Sequence, residues 1–304
     1  MSDYDVVVVG GSAAGLSAAL VLSRSRRTVL VVDSGAPRNA PAAHIHGFLS
    51  RDGMLPADLL AVGRHEVRGY GAELREGTVE TVTAEASTGF TVSLSGGDRV
   101  TARRLLVATG LRDELPGIPG LAQRWGKDVL HCPYCHGHEV ADQPLGVLGG
   151  APESVRYAQT VRQWSHDVVL LLPEGVLTAD QRHRLRARSI EVVEGGVQEV
   201  LVEEDRLTGV RMDDGRVVAR AALFVPPRFV PNDELLVQLG CAMDDAGWVS
   251  AGSAGATSVA GVWVAGNVAN PKAQVITAAG EGSSAAIELN GDLVDEDVET
   301  AAAG

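Results

Sequence analysis

From Asp5 to Val9 the chain runs apolar and then breaks at glycines, the pattern of a parallel strand buried on both faces. After the loop GGSAAG at residues 10–15, the stretch LSAALVLSRSRR places apolar residues on one helical face and basic residues near its end. Residues 29–32 are a second apolar run, closed by Asp33. Strand, glycine loop, helix, strand and terminal acid predict one βαβ unit of the dinucleotide-binding type. The pattern then recurs. Gly10 and Gly11 align without a gap with Gly149 and Gly150, and residues 29–32 align with residues 168–171. Two Rossmann-like units are therefore expected in an α/β chain, since repetition is stronger evidence than a single glycine motif.

The two copies differ. In the first, Gly10 and Gly15 stand, Ser12 is a small replacement for the middle glycine, and Asp33 offers a carboxylate to a ribose hydroxyl. In the second, Ala151 and Ser154 occupy the later glycine positions, Leu172 replaces the acid, Glu174 follows two residues on, and no arginine pair comes after the strand. Pro/Gly-rich joints at residues 115–120 and 225–232 bracket a middle domain. The expected division is 1–115 with 231–304 as one discontinuous domain and 116–230 as the other. Residues 78–100 alternate apolar and polar around Gly96-Gly97, which predicts a small antiparallel meander. The acidic, Ala-rich tail after Asp292 is expected to fray.

Composition narrows the function classes. The 304-residue chain is 45% hydrophobic, enough for two packed cores. A net charge of −13 argues against nucleic acid or an anionic membrane as the main partner. No apolar run has the length of a membrane span, and the N-terminus enters a strand at once, so a cytoplasmic protein without a signal peptide is expected. Three cysteines are too few for a disulfide scaffold.

Two of them form the C-x-x-C of LHCPYCHGHE, at residues 130–139. Cys132 and Cys135 are spaced for an intramolecular disulfide, and a helix start favours a thiolate. His131, His136 and His138 supply nearby bases. Haem attachment also uses C-x-x-C-H but calls for export. A zinc site needs a further ligand pair, and Cys241 lies far along the chain. A redox dithiol beside a dinucleotide cofactor is the favoured reading, with no metal.

In order along the chain stand VVVVGGSAAGLSAAL, LLVATGL at residues 105–111, CPYC at 132–135 and GVWVAGNV at 261–268. That order resembles the low-molecular-weight thioredoxin reductases over nearly the whole chain. The resemblance implies an FAD domain made of both chain ends, a middle NADPH-type domain carrying the C-x-x-C, and a homodimer. By position it assigns Gly10, Gly15 and Asp33 to the adenosine and pyrophosphate of FAD, with Ser12, Ala13 and Ala14 completing the loop. Ser34 and Arg38 follow the acid, and Asn39 is placed to face the flavin. Thr109 and Gly110 close over the nucleotide. Gly266, Asn267, Gln274, Val275 and Ile276 reach the ribityl chain and the ring.

The chain also departs from that family. Asn267 stands where an aspartate is usual, His136 stands where the proton-donating aspartate is usual, and the basic patch for NADPH is missing. In keeping FAD and the dithiol without nicotinamide recognition, the chain resembles the FAD-dependent dithiol oxidases of the gliotoxin and holomycin pathways. That branch implies a small-molecule dithiol as substrate and O2 as electron acceptor. Cys132 is expected to be attacked by substrate, Cys135 to pass electrons to the flavin, and His136 or His131 to serve as base. Two rivals remain: an NAD(P)H-dependent disulfide reductase, for which Glu174 leaves room for NADH, and a flavin-binding redox sensor without turnover. His44, His46 and Phe48 are candidates for a substrate pocket or for loop packing, and the tryptophans are read as packing.

Overall fold

The computed structural model describes residues 3–85 and 89–303; residues 86–88, inside the expected meander, lie outside it. The chain opens with β1 (Tyr4–Val9), α1 (Ala13–Arg24), β2 (Val29–Asp33), α2 (Pro56–Gly69) and β3 (Glu73–Glu76). The meander follows as β4 (Val79–Glu85), β5 (Gly89–Leu94) and β6 (Arg99–Val107). Next come β7 (Leu111–Glu114), β8 (Val129–Leu130), α3 (Pro133–His136), β9 (Leu145–Leu148), α4 (Ser154–Val161), β10 (Val168–Leu172), α5 (Ala179–Ala187) and β11 (Ile190–Glu194). The strands β12 (Val197–Glu203), β13 (Arg206–Met212), β14 (Val217–Ala219), β15 (Ala222–Phe224) and β16 (Arg228–Pro231) lead to α6 (Glu234–Gln238), β17 (Val262–Val264) and α7 (Val275–Ala303).

Two compact units result. The first comprises Met1–Ala40, Phe48–Arg112 and Phe229–Gly304, and the second Pro41–Gly47 and Asp113–Arg228. The first unit's sheet runs β3-β2-β1-β6-β5-β4, with β17 also on β6. Strands β3, β2, β1, β6 and β17 are parallel, and β4, β5 and β6 form the antiparallel meander. The uninterrupted valines of β1 follow from burial on both faces: Val6 and Val8 join the core under α1 and α7, while Val7 and Val9 join the core on the other face. The second unit holds a parallel sheet ordered β11-β10-β9-β15-β8 and a three-stranded antiparallel sheet, β12-β13-β14. Its β10 divides in the same manner, with Val168, Leu170 and Leu172 in one core and Val169 and Leu171 in the other.

The C-terminal tail does not fray. It is part of α7, a helix of 29 residues. Leu289 and Leu293 are fully buried. Asp292 and Glu296 pair with Arg104, and Asp297 pairs with Arg103 and Arg27. An acidic run read alone lacks its counter-charges; here those cations come from far earlier in the chain. Small residues let α7 reach α1 closely: a Cβ on Gly282 would lie 2.0 Å from the Ala14 carbonyl oxygen.

Candidate active site

The second unit carries the redox pair. Strand β8 delivers His131, and Cys132 caps the single turn of α3 in an extended conformation. Pro133 suits that first helical position because its missing N–H costs no helical bond. The amides of Cys135 and His136 both donate to the Cys132 carbonyl, each at 3.1 Å. Cys132 and Cys135 are disulfide-bonded, with Cα atoms 5.2 Å apart. Gly137 is required behind the turn, since a Cβ there would sit 2.7 Å from the Trp164 ring. Tyr134 meets the same indole edge-on at 5.5 Å. Trp164 is thus a packing residue whose place is under the C-x-x-C turn.

Basic and acidic groups gather beside the pair. Burial holds the His136 imidazole below its ordinary pKa; nearby Glu139 opposes that shift and His46 adds to it. His136 is therefore neutral near pH 7 and able to accept a proton. His46 Nε2 lies 3.3 Å from Glu139 Oε1, within the same unit. His44 stacks obliquely on His46 at 6.2 Å between ring centroids. The Tyr157 hydroxyl donates to the His131 carbonyl, and burial pushes that phenol's pKa up, so it stays a donor. His138 is exposed. Glu139 and Tyr157 were not assigned roles from sequence, and His46, read there as a substrate-pocket or loop-packing residue, is placed against Glu139. Only Glu139 had a local signal, three residues beyond His136 on a short turn, and His46 arrives from a distant loop.

The first unit carries the dinucleotide loop. Gly10 has φ +105°, and a Cβ on it would lie 2.4 Å from the Ala108 carbonyl oxygen. A Cβ on Gly15 would lie 1.8 Å from the Gly10 carbonyl oxygen. Both positions therefore demand glycine. Ser12 caps α1 without a side-chain hydrogen bond, and no acid occupies the first turn. The leading amides around Ser12, Ala13 and Ala14 are thus available to an anion at a positive helix end, which fits a pyrophosphate. Asp33 ends β2 against this loop, close enough that a Cβ on Gly11 would lie 2.7 Å from its Cβ, and Arg64 pairs with it at 2.8 Å. Ser34 is exposed, and Arg38 and Asn39 are half-buried after it.

Other assigned residues are placed by contacts within the same unit. Thr109 and Gly110 are clasped by Asn232: the Thr109 hydroxyl donates to the Asn232 carbonyl at 2.6 Å, while the Asn232 side chain donates to the Thr109 carbonyl and its amide to the Gly110 carbonyl. Asn267 donates to the carbonyls of Asn270 and Ala273, which shapes the loop leading to Gln274, and its oxygen meets Arg38 at 3.4 Å. Arg38 also lies over the Phe229 ring at 5.1 Å. The Gly266 amide donates to Glu281 at 2.9 Å, and Glu281 also accepts from Asn270. Val275 and Ile276 begin α7, where Ile276 is exposed. Asn232 was missed because it acts across 123 residues, and Glu281 because its contact with the Gly266 amide depends on how α7 packs against the preceding loop.

The second unit's matching loop is built differently. The Ser154 hydroxyl accepts from the amides of Gly150 and Ala151, at 3.2 and 3.5 Å, and so takes the donors a phosphate would use. Glu153 caps α4 beside them. Arg182, on α5, is held by Glu194 at 2.6 Å.

The pyridine nucleotide-disulphide oxidoreductase family matches this chain over residues 4–282. The thioredoxin reductase sirT of Leptosphaeria maculans is 30% identical over 95% of this chain and 94% of its own length. A probable thioredoxin reductase of Arthroderma benhamiae is 39% identical over 48% of this chain, and that match spans only 38% of the relative. The crystal structure of HlmI superposes with a TM-score of 0.95 at 57% identity, covering 98% of this chain and 95% of that one. With a loop that fits a pyrophosphate in one unit and a cysteine pair in the other, this chain belongs to the pyridine nucleotide-disulphide oxidoreductase family, as a thioredoxin reductase-like flavoprotein that uses FAD.

Proposed function

We propose that this protein is a dithiol oxidase that closes a disulfide in a small molecule and passes the electrons to O2. The observation that carries this reading is the contrast between the two loops. The first unit leaves its leading amides open to a pyrophosphate, whereas the second fills them with the Ser154 hydroxyl and sets Glu153 beside them. Electrons then enter from a thiol substrate rather than from a nicotinamide.

One substrate thiol gives its proton to neutral His136 and attacks Sγ of Cys132. The Cys132–Cys135 bond breaks, and Cys135 leaves as a thiolate. The second substrate thiol attacks the mixed disulfide, releasing Cys132 and closing the ring. The cysteine pair gains the two electrons that the substrate loses; of the two protons, one passes through His136 to the Cys135 thiolate and the other goes from the second substrate thiol to the departing Cys132 sulfur. Bound FAD would supply the two-electron chemistry that couples the reduced cysteine pair to O2, with hydrogen peroxide as product once two protons are added. Gly10, Ser12, Ala13, Ala14, Gly15 and Asp33 would hold its nucleotide half, with Ser34 beside Asp33. Arg38, Asn39, Thr109, Gly110, Gly266, Asn267, Gln274, Val275 and Ile276 would hold the rest. His131, whose carbonyl is tied to Tyr157, positions Cys132 and is the alternative base.

The working form in this reading is a cytoplasmic homodimer. Ile276, Ile287, Val294 and Val298 support the dimer: all four are exposed on α7, and at about 100° per residue they fall on one stripe.

The test is an anaerobic titration of the yellow protein with dithiothreitol, NADPH and NADH in separate cells. Bleaching by dithiothreitol alone, with recovery and peroxide on admitting air, is the expected result. Rapid bleaching by either nicotinamide would overturn the oxidase and restore an NAD(P)H-dependent disulfide reductase. A reducible disulfide with no turnover on thiols or nicotinamides would leave a redox sensor.

A further inference from the structure

The second unit contains a cavity of about 660 Å³ beside its nucleotide-like loop, at Gly149, Gly150 and Ala151. That volume lies in the ordinary range for small-molecule sites. Its walls are largely apolar, from Ile118, Leu148, Leu172 and Val197. Among the described residues no lysine or arginine lines it; its ionisable groups are Glu153, His131 and Tyr157. The carboxylate of Glu153 opposes an anionic ligand. The loop amides that would bind a phosphate already donate to Ser154, and that serine is buried. The Leu172 side chain stands where a ribose-binding acid would be. The space beside the loop is therefore an open cavity without a cationic side chain for a phosphate, and its lining suits a neutral, mostly apolar ring.

The cavity also touches the redox pair through the chain itself. His131 lines it and directly precedes Cys132, and Tyr157 both lines it and fixes the His131 carbonyl. We propose that this cavity binds a neutral cyclic disulfide or its dithiol, the substrate class of the oxidase, in place of a nicotinamide dinucleotide. Naming that class rests on the oxidase reading. The cavity holds this ligand non-covalently, and no bond changes there.

Oxidised lipoamide, a neutral cyclic disulfide, is the probe, with the FAD-loaded, disulfide-bonded protein as target. Binding is read by equilibrium dialysis, with NADPH and NADH run in parallel. A side chain on Gly150 meets no atom within 4 Å, and its φ is not positive, so Gly150→Trp can enter the space without backbone strain. Ala151→Trp is a second filling variant on the same rim, and a wild-type far-UV circular dichroism spectrum and thermal transition show that each has folded. The expected result is saturable lipoamide binding that weakens about tenfold or more in both variants, a loss of about 1.4 kcal/mol. The double variant Cys132→Ser, Cys135→Ser should still bind the probe, because the site is not the cysteine pair. Equal binding in wild type and both tryptophan variants would overturn the proposal. So would absence of saturable lipoamide binding, or tighter binding of NADPH or NADH with sensitivity to the same variants. Peroxide production from dithiothreitol tests the oxidase separately: if it is absent while lipoamide binding remains and is blocked by tryptophan, the cavity stands and the oxidase reading falls.

Discussion

In the proposed mechanism the chemistry turns on His136. Its neighbours Cys132 and Cys135 were legible from spacing alone, because a C-x-x-C beside a βαβ pattern restricts the plausible chemistry. Its protonation was not legible, since burial is set by the fold. With its pKa below the ordinary 6.5, His136 is a base through neutral pH and is lost as a base only in acid. The rate of reduction of the cysteine pair by a dithiol should therefore fall on acidification along a limb below pH 6.5. His136→Gln should slow that step by on the order of 10²-fold and erase the limb, as measured by stopped-flow flavin bleaching across pH. An unchanged limb in the variant would move the base to another group. The same shift bears on stability. The unfolded chain binds a proton at this histidine before the folded one does, so stability falls as pH drops from 6.5 through the lowered folded value. His136→Gln should remove that part of the acid dependence in urea titrations at successive pH values. Glu139 and His46 show the limit of a local reading: their contact forms when residues 41–47 join the second unit, and no spacing rule anticipates it.

At the scale of elements, strands and glycine loops were readable because their signals are local. Buried parallel strands are apolar throughout, and Gly10 and Gly15 are imposed by close backbone contact. Helix α7 was misread at its end because its stabilising partners are remote. Arg27, Arg103 and Arg104 meet Asp292, Glu296 and Asp297 across the whole first unit. Asp297 is held below its ordinary pKa by Arg27 first and Arg103 next, so its contribution is present above about pH 4 and is lost as pH falls through the folded value. Hydrogen exchange in the last turns of α7 should accelerate below that pH and in Asp297→Asn at neutral pH. The expected loss is about 1 kcal/mol or less, given the exposure of Asp297. Protection unchanged in both cases would mean that Leu289 and Leu293 alone secure the tail. A larger effect belongs to Gly282. Any side chain there must displace the Ala14 backbone, so Gly282→Val should cost about 1–3 kcal/mol in urea unfolding. It should also weaken FAD retention, because Ala14 belongs to the loop that would hold the pyrophosphate.

For the molecule as a whole, the sequence disclosed two nucleotide-type units that differ in their glycine loops and a redox pair, while the fold adds that the Ser154 hydroxyl accepts from the second loop's amides. It also discloses a surface that composition conceals. The exposed apolar residues of α7 are separated by intervals of 11, 7 and 4 along the helix, which returns them to one face. Opposite that stripe, Leu289 and Leu293 enter the core, so α7 is apolar on two sides, one buried and one exposed among the described residues. A stripe of this kind on a chain with net charge −13 is not explained by solubility, and self-association is its simplest use. Replacing Ile287 and Val294 with glutamate adds like charges on both copies of a two-fold interface and removes apolar area from each. Sedimentation velocity should show a dimer for the wild type and a monomer for Ile287→Glu with Val294→Glu, with far-UV circular dichroism unchanged because both positions are exposed. A variant that sediments as the wild type does would place the dimer contact elsewhere or show that the chain works alone.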